Sequence, residues 1–313
     1  MIPDFWNGKP YYSLDSYLKK TYGTKMYKIA LNGGMTCPNR DGTLDTRGCI
    51  FCSAGGSGEF TPDRIGSIAS QLTAGKALLQ NKNAGDKCIA YFQSYTNTYA
   101  PISTLCHLYT EALMESSVQG ISIATRPDCV KESVVNLLTS LKKQFPDKFV
   151  WIELGLQTIH EHTASYIRRG YEIPMFEDCV NRLRAKSVPV IVHTILGLPG
   201  ETTEMILQTI NYVNLIRADG IKLQLLHVLK GTDLELDYVN HKFSVLSLEE
   251  YLNLLIKCIE CLSPEIVIHR ITGDGPRNLL IAPVWSLNKK NVLNSLHKTM
   301  KERNAWQGKI YVE

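Results

Sequence analysis

The sequence predicts an α/β fold in which a parallel sheet is covered by helices, and three observations carry that expectation. From about residue 87, short β-branched or apolar runs alternate with segments of helical spacing. No Pro- or Ser-rich linker and no short repeat breaks the alternation. Runs that stay apolar along their length belong to strands buried on both faces, as in parallel sheets with helices packed on them. The composition supplies the material: 44% of residues are hydrophobic, 20% are charged, and there are 8 Phe, 4 Trp and 15 Tyr. That excludes a disordered or low-complexity chain, because burial can offset the entropy of ordering. The 313 residues permit two small domains, but α/β barrels use this much chain as one unit, so one main domain is expected.

The strands follow in order. MYKIAL at 26–31 opens the series, followed by KCIAYFQ at 87–93, GISIAT at 120–125 and KFVWIELGL at 148–156. VPVIVHTIL at 188–196, GIKLQLLHVL at 220–229 and EIVIHRI at 265–271 bring the total to seven candidate strands. Between them lie helical stripes such as Leu105, Leu108, Ala112 and Leu113, or Val134, Val135, Leu138 and Leu141. The series divides the chain into an aromatic and basic extension at 1–25, the α/β unit at 26–235, and a C-terminal α/β extension at 236–313 packing on it. In such folds chemistry collects where strands end and loops converge. Here those places are Gln93 to Thr98, Thr125 to Asp128, Gln157, Leu196 to Gly200, and His227 to Thr232.

The N-terminus, MIPDFWNGKP, has no apolar core behind a basic start and does not read as a secretory signal. The longest apolar stretch, Val188 to Leu198, is broken by Pro189 and His193 and is far shorter than the roughly 18 residues of a membrane span. A cytoplasmic chain without membrane contact is expected. Its nine cysteines are then thiols or metal ligands rather than disulfides. The net charge of +4 allows an acidic partner such as RNA without demanding one.

Three of the nine, Cys37, Cys49 and Cys52, fall within 16 residues in the loop directly after the first strand, NGGMTCPNRDGTLDTRGCIFCSAGGSGEF. Glycine-rich backbone can wrap a bulky inorganic group and aim amides at its sulfides. Thiolates ligate both iron–sulfur clusters and structural zinc. A closed zinc site wants four protein ligands, and no His or fourth Cys lies between residues 30 and 60. Three ligands on a four-iron cluster leave one iron open to a substrate or cofactor. Unpaired loop thiols, or zinc with a distant fourth ligand, are the alternatives.

With Cys49, Phe51 and Cys52 downstream of Cys37 at the head of a β/α series, the chain resembles the radical S-adenosylmethionine (SAM) superfamily. Eleven residues separate Cys37 from Cys49 where three are usual in that superfamily, which is similar to the lengthened interval of the Elongator catalytic-subunit branch and its bacterial relatives. TRPD at 125–128, ELGLQT at 153–158, RRG at 168–170 and GLPGET at 197–202 extend the resemblance, in family order, over roughly residues 26–235. The resemblance implies a partial (β/α)6 TIM-like barrel with terminal decorations and a [4Fe–4S] cluster on Cys37, Cys49 and Cys52. It further implies that SAM is held at the open iron and cleaved reductively to methionine and a 5′-deoxyadenosyl radical. The radical abstracts a substrate hydrogen, and the electron comes from a donor such as flavodoxin or ferredoxin.

The same resemblance assigns residues around SAM. Ser94, Tyr95 and Thr96 of QSYTNT stand where relatives present backbone to the methionine amine, although by themselves they read better as a polar strand-to-helix turn. Gln157 matches a family glutamine near the cofactor. Glu153, four residues earlier, shares its face of the strand and needs a partner if buried. Arg169 matches an arginine that holds the methionine carboxylate, a role suited to a guanidinium, with Arg168 as the other candidate. His193 stands where relatives set an Asp against the ribose hydroxyls; a satisfied core histidine is the alternative. GLPGET is expected to turn at Gly197 and Gly200 and to start a helix near Thr202.

Other signals carry less. GGSG at 55–58 lacks both the spacing and the preceding strand of a dinucleotide loop. Cys258 and Cys261 form a CxxC on a helix expected over 247–262 and read as buried thiols, as do Cys88, Cys106, Cys129 and Cys179. His227, His269 and Arg270 leave late strands, and RITGDGPR at 270–277 has the composition of a tight functional loop. Residues 1–28 hold seven aromatics and five lysines against two acids. Residues 286–313 hold six Lys or Arg against two Glu, on a helix with Val292, Leu293, Leu296 and Met300 inward. Interleaved bases and rings suit RNA, but an apolar cover on the barrel at one end and a solvated helix face at the other weigh more. Together with the Elongator resemblance they suggest an RNA base, in tRNA, as substrate. A small metabolite, a protein side chain, or an iron–sulfur module without turnover are the other readings. The chain ends at Glu313, so the acetyl-coenzyme A chemistry of the Elongator subunit is not expected within it.

Overall fold

A computed structural model describes residues 3–61, 66–79, 85–273 and 275–312. The apolar runs become β1 (Tyr27–Leu31), β2 (Cys88–Phe92), β3 (Val118–Thr125), β4 (Phe149–Gln157) and β5 (Val190–Leu196). The run at 220–229 does not stay one strand. It divides into β6 (Gly220–Leu225) and a two-residue β7 (Val228–Leu229). The parallel sheet has seven strands in the order β1-β2-β3-β4-β5-β6-β8, where β8 is Val267–Arg270. β7 turns away to pair antiparallel with β9 (Leu280–Ala282), a strand too short to leave a periodic signal. β8 comes from beyond residue 235 and pairs with β6, so the C-terminal region completes the main sheet.

Ten α-helices are described: α1 (Leu14–Tyr22), α2 (Ile68–Ala77), α3 (Ile102–Met114), α4 (Glu132–Gln144), α5 (Glu161–Tyr166), α6 (Ile173–Ala185), α7 (Thr203–Leu215), α8 (Asp233–Val239), α9 (Leu248–Cys261) and α10 (Lys289–Glu302). Their starts follow from the residues in front of them. Thr202 caps α7 by accepting from the Met205 amide, and Ser247 with Glu250 forms a capping box on α9. Gly197 and Gly200 both take positive φ, 86° and 83°, so the expected turn before α7 is present.

The sheet curls so that its two faces do different work. Phe92, Ile123, Val192 and Leu223 on the convex face join Leu113, Leu138 and Leu255 of the helices in one large core. The concave face is layered. At the start of the strands, Ile89, Phe149, Trp151 and Ile191 pack with Leu18 of α1 and with Met26, so α1 closes that end. Gly120 allows this layer to form, since a Cβ there would lie 2.3 Å from the Phe149 ring, which itself stacks on Trp151.

Both termini are tied to this end. The Gln307 side chain accepts from the Tyr12 amide at 2.8 Å and donates to the Ser263 and Ile266 carbonyls. Trp6, Tyr11 and Tyr12 are buried, so these aromatics cover the barrel instead of offering rings to bases. On α10, Val292, Leu296 and Met300 are buried as expected, while Lys290, Lys298 and Lys301 are exposed. Cys88, Cys129, Cys179 and Cys258 are buried, but Cys106 is exposed. The inward stripe of α3 is Leu105, Tyr109, Ala112 and Leu113, and one helical step turns Cys106 away from it. Among the described residues no helix is long and apolar enough to cross a membrane.

Candidate active site

The C-terminal ends of the strands open onto a cavity of about 250 Å³ whose wall includes Cys37, Cys49 and Cys52. Their loop is pinned from several sides. The Asn39 amide donates to the Arg168 carbonyl at 2.7 Å and lies 3.5 Å from the Cys49 sulfur. Arg40 donates to the carbonyls of Cys52 and Ser53 at 2.8 and 2.6 Å. Burial pushes the Cys49 thiol up to about 12 and also raises Cys52, against the opposing pull of Arg126 on the first and Arg40 on the second. Thiols in such surroundings give up their protons to a metal rather than to water. Among the described residues no three His, Cys, Asp or Glu side chains converge on a single-ion site. The sulfurs share a wall instead of a point. Three thiolates on one wall are a donor set that a four-iron cluster can use with one iron left open, whereas a closed zinc site wants a fourth protein ligand.

QSYTNT works on this loop. Ser94 is buried with its hydroxyl 2.7 Å from that of Thr61, and the Tyr95 hydroxyl donates to the Ala54 carbonyl at 2.6 Å. The Tyr95 and Thr96 amides bond to Gly56 and Thr36, and both residues line the cavity, whereas Ser94 stands behind it. Tyr95 has φ of 59°, a costly conformation for a ring-bearing residue, held by these contacts. Gln157, at the end of β4, also has positive φ, 64°. Its buried amide oxygen has no hydrogen-bond partner among the described residues, an acceptor left for a ligand on the cavity wall.

Arg169 lines the cavity but is largely committed. Its guanidinium donates to the carbonyls of Tyr171, Leu156 and Thr158 and pairs with Glu161 at 3.0 Å, which occupies four of its five N–H groups. Arg168 turns outward to Asp233 at 2.6 Å. Arg126 of TRPD chelates Asp128 and donates to the Arg169 carbonyl at 2.9 Å, so the loops that follow β3 and β4 brace each other. Sequence reasoning passed over Arg126 as a wall residue, although TRPD marked its loop.

Glu153 is fully buried on the concave face, one layer below the cavity. It is paired, as burial requires. Its Oε1 accepts from Lys28 of β1 and, at 2.6 Å, from Ser122 of β3; its Oε2 accepts from Lys222 of β6 and, at 2.7 Å, from His193 Nε2. Groups from β1, β3, β4, β5 and β6 meet on one carboxylate only because the sheet curls. The two ammonium groups hold Glu153 well below the usual carboxylate range despite its burial. Lys222 also donates to the Tyr91 hydroxyl at 2.9 Å. Burial, with Lys222 beside it, drops His193 to about 4, so its ring is neutral at neutral pH. A carboxylate only accepts, so Nε2 carries the proton and Nδ1 is an acceptor. His193 and Tyr91 line the cavity floor.

Neither lysine figured among the residues the sequence pointed to. A lone Lys inside a largely apolar strand, as in YKIAL and GIKLQL, was the signal available. Of the late-strand residues, His227 bonds Ser286 at 3.0 Å and lines the cavity with Arg270, whereas His269 packs on Trp151 near the closed end. Cys258 and Cys261 approach no further ligand among the described residues. Gly273 and Pro276 of the 270–277 loop reach the cavity wall; Asp274 lies outside the described residues.

A family model described as the Radical SAM superfamily matches residues 46–213, beginning inside the long Cys37–Cys49 interval, and one described as the Radical_SAM C-terminal domain matches 218–302. Protein YtqA of Bacillus subtilis (strain 168) is 42% identical over 303 residues, covering 97% of this chain and 93% of that protein. Protein YhcC of Escherichia coli (strain K12) is 36% identical over 288 residues, covering 92% and 91%. Among solved structures, the archaeal Methanocaldococcus infernus Elp3 is similar with a TM-score of 0.68 at 18% identity, over 91% of this chain and 65% of that one. At that identity the likeness is one of fold, a curled parallel sheet shared by both.

Proposed function

The chain belongs to the radical SAM superfamily, whose enzymes use a [4Fe–4S] cluster and SAM, and from that premise we propose that Cys37, Cys49 and Cys52 hold the cluster and that the cavity above Glu153 is where SAM and substrate meet. When bound, the cluster supplies the electron for reductive cleavage of SAM, which yields the 5′-deoxyadenosyl radical. The observation that carries this reading is the convergence on one cavity, at the strand ends, of the three thiols and of the Gln157 amide oxygen, which has no partner among the described residues.

The surrounding residues then bind and orient. Gln157 offers its amide oxygen to SAM, and the backbone of Tyr95 and Thr96 edges the methionine end while Ser94 holds the cysteine loop in place. Arg169 keeps one N–H for the methionine carboxylate. His193, its Nε2 proton committed to Glu153, presents Nδ1 as an acceptor for a ribose hydroxyl, so Glu153 acts on SAM through His193. A flavodoxin- or ferredoxin-like protein is the proposed electron donor.

For the substrate, the proposal is an RNA base, in tRNA. Its supports are the resemblance to the Elongator branch and the exposed basic face of α10. A second reading, a small metabolite, is favoured by a specific observation: Trp6, Tyr11 and Tyr12 are buried and are not part of the cavity wall. Salt-sensitive binding of bulk tRNA, weakened by Lys298→Gln/Lys301→Gln, separates the two, since phosphate contacts are lost with rising salt.

The radical reaction is tested by anaerobic reconstitution with iron and sulfide, reduction in the presence of SAM, and chromatography for 5′-deoxyadenosine. The wild type is expected to form it and Cys37→Ala/Cys49→Ala/Cys52→Ala to form none. A complete cluster that yields no 5′-deoxyadenosine, even with cell extract added, would sink the reading.

A further inference from the structure

The eleven residues between Cys37 and Cys49 are folded by their own hydrogen bonds around one guanidinium. The Cys37 carbonyl accepts the amides of Arg40 and Asp41, the Pro38 carbonyl those of Leu44 and Asp45, and the Asn39 carbonyl that of Gly48 at 2.7 Å. The interval therefore leaves Cys37 in a tight turn and returns beside it, and Arg40 stands where the two limbs meet. Its guanidinium is held on three sides. It donates to the carbonyls of Cys52 and Ser53, it lies against the Gly48 backbone, and the Tyr95 ring centroid is 6.0 Å from its Cζ. A Cβ at Gly48 would lie 2.8 Å from Arg40 Nε, and φ there is 78°, so space and backbone conformation both ask for glycine. Set this way, Arg40 lines the cavity beside the Cys52 thiol, where its charge opposes the upward push of burial. Arg126 acts on Cys49 in the same sense, as one half of a pair with Asp128.

Closing the loop onto two carbonyls needs only a donor. What arginine adds is a positive charge that persists at any working pH. A four-iron core on three thiolates is anionic and becomes more so on taking up an electron. A fixed cation beside one of its ligands favours the more negative form, most strongly where water is scarce. We propose that Arg40 raises the reduction potential of the cluster, so that the long Cys37–Cys49 interval serves electron entry as well as ligation. The inference rests on the reading of Cys37, Cys49 and Cys52 as the cluster ligands. The electron passes from the flavodoxin- or ferredoxin-like donor to the cluster; no bond forms or breaks, and Arg40 stays protonated throughout.

The full chain is reconstituted anaerobically, and its midpoint potential is measured without SAM by redox titration of the paramagnetic reduced cluster. Arg40→Gln is expected to make reduction at least about tenfold less favourable, a downward shift of about 59 mV for a one-electron couple. Arg40→Lys keeps the charge and should recover most of that shift. Arg47→Gln removes an exposed cation of the same interval and should leave the potential where it is. Gly48→Ala pushes the guanidinium aside without deleting it and should lower the potential by a second route. The inference is overturned by an Arg40→Gln equilibrium within about twofold of wild type, by an Arg40→Lys shift as large as that of Arg40→Gln, or by an equal shift from Arg47→Gln. If neither Arg40→Gln nor Gly48→Ala takes up iron, Arg40 holds the loop and does not set the potential, and the inference falls as well. Iron content is followed beside Cys37→Ala/Cys49→Ala/Cys52→Ala. A cluster retained by that variant removes the ligand assignment itself; a cluster lost from it, with no shift in Arg40→Gln, leaves the assignment standing and only this inference falls.

Discussion

Glu153 shows how much one side chain can organise. It is buried without any exposed surface, yet it is charged, because Lys28, Lys222, Ser122 and His193 converge on it from four other strands. Removing one partner of a buried ion network leaves the others unpaired, which costs far more than the network's net contribution. Glu153→Gln keeps the volume but strands two ammonium groups, and it is expected to lower stability by about 3–5 kcal/mol. Urea denaturation of the variant checks this; a loss below about 1 kcal/mol would mean that the lysines shed their protons instead of their stability. The same substitution frees the His193 ring to choose its tautomer, so a weaker apparent affinity for SAM is expected beside the stability loss.

At the scale of elements, the closed end of the barrel is built from shape. Gly120 of β3 makes room for the Phe149 ring, and α1 seals the layer with Leu18. Gly120→Ala forces the ring pair to move and is expected to destabilise by about 1–3 kcal/mol. Leu18→Ala removes a fully packed side chain at the same end, with an expected cost of about 2–5 kcal/mol. Both are read as shifts in the thermal midpoint. Leu18 lies far from the cavity, so its variant should still produce 5′-deoxyadenosine below its own melting temperature, and loss of product there would mean that the two ends of the barrel are coupled.

For the whole molecule, pH and chain length are the informative variables. His193 drops from an ordinary 6.5 to about 4, so below 6.5 the unfolded chain binds a proton that the folded chain refuses. Stability is therefore lost as pH falls from 6.5 towards 4, by up to about 3 kcal/mol from this residue. Glu153 acts in a more acid window: its contribution is present above its ordinary 4.5 and disappears as pH falls through its lower folded value. His193→Gln should lessen the slope of the first segment of a stability-against-pH curve, to which His269 and His297, also lowered by burial, contribute, and an unchanged slope would remove His193 as one of its causes. Chain length tests the sheet. Because β8 covers the edge of β6, a chain ending at residue 235 exposes that edge and is expected to be recovered aggregated.

Much of this was legible in the linear chain, and the rest was not for a definable reason. Burial period and turn chemistry are local properties, so the seven parallel strands, the stripes of α3, α4 and α10, the extent of α9, the turn before α7 and the grouping of Cys37, Cys49 and Cys52 could all be read from neighbouring residues. What two distant side chains do to each other depends on strand register and on how far the sheet curls. Lys28 and Glu153 are 125 positions apart, and nothing near either announces the pair. Tertiary packing likewise decided that Arg169 is mostly committed to carbonyls, that Tyr11 and Tyr12 cover the barrel, and that Cys106 faces solvent. The sequence by itself determined the sheet and the grouping of the three thiols, because both are written in local spacing. Only the tertiary structure decided which charges share the barrel interior, because that is set by curvature acting across the whole sheet.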